Sequence, residues 1–106
     1  MNLVLLVTVP DLETARRMGR TLVEERLAAC VNIVPGLTSI YRWEGKVAED
    51  GELLLLIKTR DERYAALEAR IKQLHPYTLP EVLALSVDHG SVDYLRWIAA
   101  SVNALE

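Results

Sequence analysis

The sequence predicts one α+β domain, residues 1–106, with a ferredoxin-like βαββαβ architecture and an extra C-terminal helix. The hydrophobic period alternates between strand-like runs and helix-like steps of three and four residues, in the order β-α-β-β-α-β-α. The 106 residues suffice for one domain, and an apolar content of 51% is enough for a substantial core. Right-handed crossovers then predict the strand order 4-1-3-2.

The first strand and the first helix meet at Pro10 and Asp11. Residues 3–9 form an almost unbroken apolar run, which is typical of a strand buried on both faces. Asp11 is a favourable N-cap, and the apolar residues that follow lie on one helix face as far as about Arg26. These features predict a βα unit that opens the chain.

A long hairpin is predicted next. Residues 29–34 form a strand that is interrupted at Pro35–Gly36 and resumes at 37–43, and proline within a strand indicates an edge or a bulge. Glu44–Gly45 predicts a tight turn, so that the returning strand pairs with the first.

The returning arm of the hairpin predicts an oligomer. A second turn or bulge is expected at 49–51, before a leucine-rich central strand at 52–59. Because the first and the fourth strand have only about seven residues each, the arms must overhang the sheet. An overhanging apolar hairpin is a liability unless another chain covers it, so we expect an obligate homo-oligomer. The alternative is that the hairpin curls over its own core.

The second half of the chain repeats the helix-strand pattern. Asp61 is expected to cap a second helix, which His75 and Pro76 terminate, and its core face is formed by Tyr64, Leu67, Ile71 and Leu74. Residues 81–87 predict the last strand, and 88–90 a turn. Ser91 is expected to cap the final helix, whose core face is formed by Leu95, Ile98, Val102 and Leu105.

Composition and motifs exclude several functions. A net charge of −3 argues against nucleic-acid binding through bulk charge, and Asp11 at the first strand-to-helix turn would repel phosphate. The central strand carries no aromatic residue on which an RNA base could stack. A single cysteine, with neither a signal-like N-terminus nor a membrane span, predicts a cytoplasmic protein. No nucleophile–base pair can be assembled, so we do not expect an enzyme.

Candidate functional residues gather at one end of the predicted sheet. His75 lies where the first strand finishes, whereas Cys30 and His89 lie at the opposite end, so a metal site would need carboxylates or ligands from two subunits. The hairpin and the 75–81 loop are expected to bring together an aromatic and acidic group. This cleft comprises Tyr41, Trp43, Tyr77 and Glu81, together with Lys58. The group is either a subunit interface or a ligand pocket between subunits.

Five segments of the chain resemble the CutA divalent-cation-tolerance family. They are AACVNIVPG at 28–36, SIYRWEG at 39–45, LIKT at 56–59, HPYTLPE at 75–81 and YLRWI at 94–98. The resemblance covers nearly the whole chain. It implies a homotrimer that resembles the PII signalling proteins, a role in tolerance of divalent metals, and copper binding.

The resemblance also implies where the metal ligands would be. Some family members carry a Cys on the first strand and two adjacent His before the Pro-Tyr, and the matching positions here are Val7, Leu74 and His75. Only His75 is a metal-binding residue type, and it is the predicted ligand. The alternatives are a PII-like sensor that binds a small ligand in its inter-subunit clefts and signals to a protein partner, and a scaffold trimer.

Overall fold

The computed structural model describes residues 1–103 and contains a four-stranded antiparallel sheet. Its elements are β1 (Asn2–Val9), α1 (Leu12–Glu24), β2 (Cys30–Trp43), β3 (Lys46–Arg60), α2 (Tyr64–Leu74), β4 (Leu83–Ser86) and α3 (Val92–Ser101). The strand order is β2-β3-β1-β4, which confirms the predicted ferredoxin-like topology.

One face of the sheet forms the core with α1 and α2. Side chains alternate along β1 and β3, so every second residue points to the helices. The buried set comprises Leu3, Leu5, Val7, Val9, Leu55 and Ile57 of the sheet, with Ala15, Met18, Leu22, Leu67 and Ile71 of the helices. Thr59 extends this face, and its hydroxyl donates a 2.7 Å hydrogen bond to the Leu27 carbonyl.

Much of the opposite face of the sheet is apolar and uncovered, although Asn32 and Lys58 also lie on it and Tyr94 of α3 contacts Lys58. Leu83 and Leu85 of β4 are 56% and 52% exposed, and Val34 of β2 is 41% exposed. Between these edges the same face carries four half-buried residues, namely Val4, Leu6, Leu54 and Leu56. We call these seven residues the open sheet face.

The hairpin of β2 and β3 extends beyond the rest of the sheet. β1 ends at Val9, opposite Leu53, so residues 37–52 of the hairpin continue without a third strand beside them. At about 3.3 Å per residue, each arm projects roughly 20 Å. The longest molecular axis is 46 Å, and the predicted overhang is confirmed.

The hairpin has its bulge where Pro35–Gly36 predicted it, but the expected second turn at 49–51 is wrong. The pairing shifts between Val34 and Leu37, which leaves one extra residue on β2. β3 then runs unbroken from Lys46, with Asp50 opposite Ser39. The backbone N–H and C=O groups of residues 49–51 form hydrogen bonds with β2. These residues therefore stay in the strand, although their types favour turns.

The helix caps follow the sequence except at α2. Asp11 Oδ1 accepts a 2.7 Å hydrogen bond from the Thr14 amide, which lowers the pKa of Asp11, and Ser91 Oγ accepts from the Tyr94 amide. Asp61 instead opens a short 3₁₀ helix, and the N-cap of α2 is Arg63. The expected cap was wrong because this extra turn precedes the α-helix.

The last strand is shorter than predicted, and the last helix has the expected core face as far as Val102. β4 covers only Leu83–Ser86, because it pairs with just four residues of β1, and 87–90 have no regular structure. In α3, Ile98 and Val102 are buried and Leu95 packs against them, as expected. The predicted core residue Leu105 lies outside the described residues.

The hairpin tip offers a test of local strain. Glu44 and Gly45 have φ angles of +49° and +79°, and glutamate is disfavoured in this left-handed region, whereas Asn-Gly is favoured in such turns. Glu44→Asn is therefore expected to raise the free energy of unfolding by up to about 1 kcal/mol. Chemical denaturation at fixed protein concentration measures it. The control Glu49→Asn, within β3, should give no gain, and equal effects would contradict the explanation.

Candidate functional site

A pocket of about 640 Å³ opens at the end of the sheet where β1 finishes. Its walls are Thr8 near the end of β1, residues 39–43 of the hairpin, Glu52, and residues 77–81 of the loop that leads from α2 to β4. The hairpin overhang forms one side of this cavity, so the pocket exists because the hairpin is longer than the strands beside it. Its size suits a small organic molecule.

His75 fixes the loop that forms the other side. It is the C-cap of α2 and is only 7% exposed. Its Nε2–H donates to the Thr8 carbonyl over 2.8 Å, and its Nδ1 accepts from the Tyr77 amide over 3.1 Å. This pair of bonds requires the neutral tautomer with the proton on Nε2. His75 thus ties the end of β1 to the pocket loop.

Tyr77 and Glu52 form the polar floor of the pocket. The Tyr77 hydroxyl donates a 2.7 Å hydrogen bond to Glu52 Oε2, and Glu52 is 8% exposed. Burial, together with this bond to a carboxylate, raises the pKa of Tyr77 above its ordinary range. Partial burial and the nearby charge of Glu52 also raise the pKa of Glu81. The floor therefore concentrates negative charge that is poorly solvated.

The hairpin wall is aromatic. The Tyr41 hydroxyl donates a hydrogen bond to Asp50 Oδ2, and this bond raises the pKa of Tyr41. Trp43 lies two residues further along β2 and is therefore on the same strand face as Tyr41. Both side chains are nearly half exposed, at 40% and 45%, so they remain available for contact with a ligand or another chain.

Four of the five predicted cleft residues lie together. Tyr41, Trp43, Tyr77 and Glu81 all line the pocket. Lys58 does not: it pairs with Val4 and Cys30 near the opposite end of β3, where its Nζ donates to Asn32 Oδ1. A ligand role for Lys58 in this pocket is therefore not supported.

The sequence interpretation missed Glu52. The sequence placed Glu52 at the start of a strand. It did not show that Glu52 lies in the cleft, because the register of the hairpin was unknown. The bulge after Val34 sets Glu52 opposite Leu37, just beyond the end of β1, where the Tyr77 hydroxyl reaches it. A glutamate directly before the LLLL run was the only available signal.

Residues 3–101 match the family model described as CutA1 divalent ion tolerance protein. The chain belongs to the CutA1 divalent ion tolerance family. It is 59% identical over 98 residues to the divalent-cation tolerance protein CutA of Thermus thermophilus, covering 92% of this chain and 95% of that relative. It is 47% identical over 92 residues to human protein CutA, covering 87% of this chain but only 51% of that longer protein.

Solved structures agree with the family assignment. The divalent cation tolerance protein Cut A1 of Thermus thermophilus superposes with a TM-score of 0.95 at 56% identity, covering 97% of this chain and 100% of that one. The structure described as the periplasmic divalent cation tolerance protein CutA of Archaeoglobus fulgidus gives 0.94 at 38% identity, again covering 97% of this chain and 100% of that one. The CutA1 fold is therefore shared along nearly the whole chain.

The described residues of this chain do not by themselves fit a copper site. Both ring nitrogens of His75 are engaged in hydrogen bonds, so neither offers a free lone pair. The Cys30 thiol contacts Asn32 Oδ1 at the opposite end of the sheet. Within residues 1–103, no group of three or more His, Cys, Asp or Glu is placed to hold a metal ion. His75 as a ligand stays a prediction, and it requires the loss of a hydrogen bond.

No helix within residues 1–103 is both long enough and apolar enough to cross a lipid bilayer.

Proposed function

We propose that this protein serves divalent-cation tolerance as a cytoplasmic, non-catalytic homotrimer whose assembly completes the pocket beside the hairpin. The observation that carries the proposal is the open sheet face, a continuous apolar surface on a chain whose main core lies on the other side of the sheet. Surfaces of this kind in soluble proteins mark interaction sites. The number three comes from the resemblance to the PII-like trimers.

A second copy of the chain is the occupant that the geometry favours. β2 and β4 are both edge strands, and all four residues of β4 are exposed. The overhanging arms add exposed apolar side chains at Ile40 and Val47, each 68% exposed. If like subunits cover this apolar surface, its removal from water stabilises the assembly by roughly 25 cal/mol per Å² buried.

The pocket supports a second, sensor-like function for the same trimer. Tyr41, Trp43 and Glu81 line this pocket. In the proposed trimer a neighbouring subunit would cover the open sheet face beside it. A ligand bound there would contact both the hairpin and the 77–81 loop. It could thereby alter the surface that the trimer presents to a protein partner.

Copper is the metal that the family resemblance implies, and we place its ligands between subunits. One subunit supplies no suitable cluster among its described residues. Each interface of the proposed trimer would bring together carboxylate and imidazole groups from two subunits. A tight site is therefore expected only in the assembled protein.

The test is a calorimetric titration of metal-free protein with Cu(II) at neutral pH, with the mass measured in the same sample. We expect a trimer and a saturable site tighter than about 1 μM, roughly −8 kcal/mol. The monomeric variant described in the Discussion should lose that site. Weak, non-stoichiometric heat would contradict copper binding, and a site retained by the monomer would contradict its placement between subunits.

His75 is tested as a ligand in the same titration. His75→Asn should weaken Cu(II) binding at least tenfold if the imidazole coordinates the metal. Unchanged affinity would exclude His75 as a ligand and leave its hydrogen bonds as its role.

A further inference from the structure

We infer that the pocket between the hairpin and the 77–81 loop binds a protonated organic amine, an inference that rests on the proposed ligand-binding function of the same cleft. The geometry that points to it is a buried carboxylate and an exposed one that share an aromatic-walled cavity. No curated relative or solved structure described above is named for such a ligand.

The charge of the pocket floor lacks a counterion. Glu52 is 8% exposed, and the partner seen for it among the described residues is the neutral hydroxyl of Tyr77. Within residues 1–103, no Lys, Arg or His forms an ion pair with Glu52 or Glu81; the ion pairs there involve other acids. A buried carboxylate without a cation is costly, so a cationic ligand would stabilise this arrangement.

The walls favour an organic cation over a bare metal ion. A divalent metal such as Ca²⁺ needs about six or more oxygen ligands within about 2.6 Å. No cluster of three acidic, imidazole or thiol groups is present in the described residues. The cavity of about 640 Å³ is also far larger than one ion. Tyr41, Trp43 and Tyr77 present aromatic rings, which attract ammonium groups and accommodate their apolar substituents.

Arg42 is the one basic residue among the described residues that line the pocket. Its side chain alternates with those of Tyr41 and Trp43, so it leaves the strand on the opposite face. Tyr41, Trp43 and Glu52 therefore share one face of the hairpin, and Arg42 belongs to the other. An anionic ligand held by Arg42 is the competing occupant, and the experiment distinguishes the two.

The experiment titrates the full-length protein with a pair of probes that match in shape and differ in charge. Phenethylammonium and phenylacetate are added separately, and binding is followed by NMR chemical shifts or by the heat of titration. We expect saturable binding of phenethylammonium and at least tenfold weaker binding of phenylacetate. The reverse preference, or no difference between the probes, would overturn the inference.

Two variants locate the site. Glu52→Gln keeps the shape of the side chain but removes its charge, and it should weaken phenethylammonium binding at least tenfold. Glu49→Gln is the matched control, because Glu49 is exposed and pairs with Ile40 on the other face of the hairpin. It should leave the affinity unchanged. Equal affinity in both variants would contradict the site.

The oligomeric mass of each sample separates this inference from the proposed function. If the protein is a trimer and phenethylammonium does not bind, the amine site is wrong while the assembly stands. If the protein is a monomer that binds phenethylammonium through Glu52, the assembly is wrong while the pocket chemistry stands.

Discussion

Leu85→Asp is expected to convert the proposed trimer, about three times the 11.9 kDa chain, into monomers. Leu85 lies in β4 on the open sheet face, opposite Val4, and is 52% exposed in the single chain. A monomer can therefore solvate the new carboxylate, whereas the assembly would bury it without a partner. Burial of an unpaired charge costs several kcal/mol, and a trimer would contain three of them. Sedimentation velocity measures the change in mass.

Leu12→Asp is the matched control for this substitution. Leu12 is 50% exposed, close to the value for Leu85, but it lies in the first turn of α1, away from the open sheet face. An acid is favourable in the first turn of a helix. The control should therefore keep the trimer mass and its circular dichroism spectrum. Retention of the trimer by Leu85→Asp, or its loss in Leu12→Asp, would contradict the assigned interface.

His75→Ala is expected to lower the free energy of unfolding by about 2–3 kcal/mol, because it leaves two partly buried backbone groups without their partners. These groups are the Thr8 carbonyl and the Tyr77 amide, which the imidazole joins in the native loop. The loss should be measured by equilibrium denaturation at one protein concentration, since trimer stability depends on concentration. A loss below about 0.5 kcal/mol, the low end for one hydrogen bond, would be too small for a residue that holds this loop.

Two isosteric variants separate the two hydrogen bonds of His75. Asparagine places an acceptor near the position of Nδ1 and can retain the bond from Tyr77, whereas glutamine places a donor near Nε2 and can retain the bond to Thr8. Each variant is expected to recover part of the stability that alanine loses. If neither recovers any, the effect of His75→Ala comes from lost packing alone.

The sequence predicted the order of elements and most caps because those features depend on local pattern, and the crossover rule then predicted the strand order. Asp11 and Ser91 stand directly before helical periodicity, and each accepts the expected amide hydrogen bond. The apolar runs marked β1 and the core half of β3, and the length of the hairpin predicted the overhang. Periodicity and capping depend on residues that are close together in the chain, so they can be predicted from a single sequence.

The errors lie where long-range pairing decides the structure. Asp50 and Gly51 favour turns in isolation, but the opposite arm at Ser39 and Thr38 keeps them in β3. β4 is shorter than its apolar run because only four residues of β1 lie beside it. Local propensity is weaker than the ladder of backbone hydrogen bonds that tertiary structure imposes.

The candidate site shows the same division. The HPY and YRW segments predicted that Tyr41, Trp43 and Tyr77 would meet at one end of the sheet, and they do. The partner of Tyr77 depends on the hairpin register, which the bulge at Pro35–Gly36 shifts by one residue. Glu52 was therefore missed. Lys58 was predicted to lie in the cleft but is near the opposite end of the same strand, before the bulge.

Sedimentation equilibrium of the wild-type protein across a dilution series tests most directly whether like subunits cover the open sheet face. The expected result is one species of about three times the 11.9 kDa chain mass, with no dissociation into folded monomers as the concentration falls. A folded species at the mass of a single chain, stable at all concentrations, would contradict the trimer and with it the inter-subunit placement of the pocket.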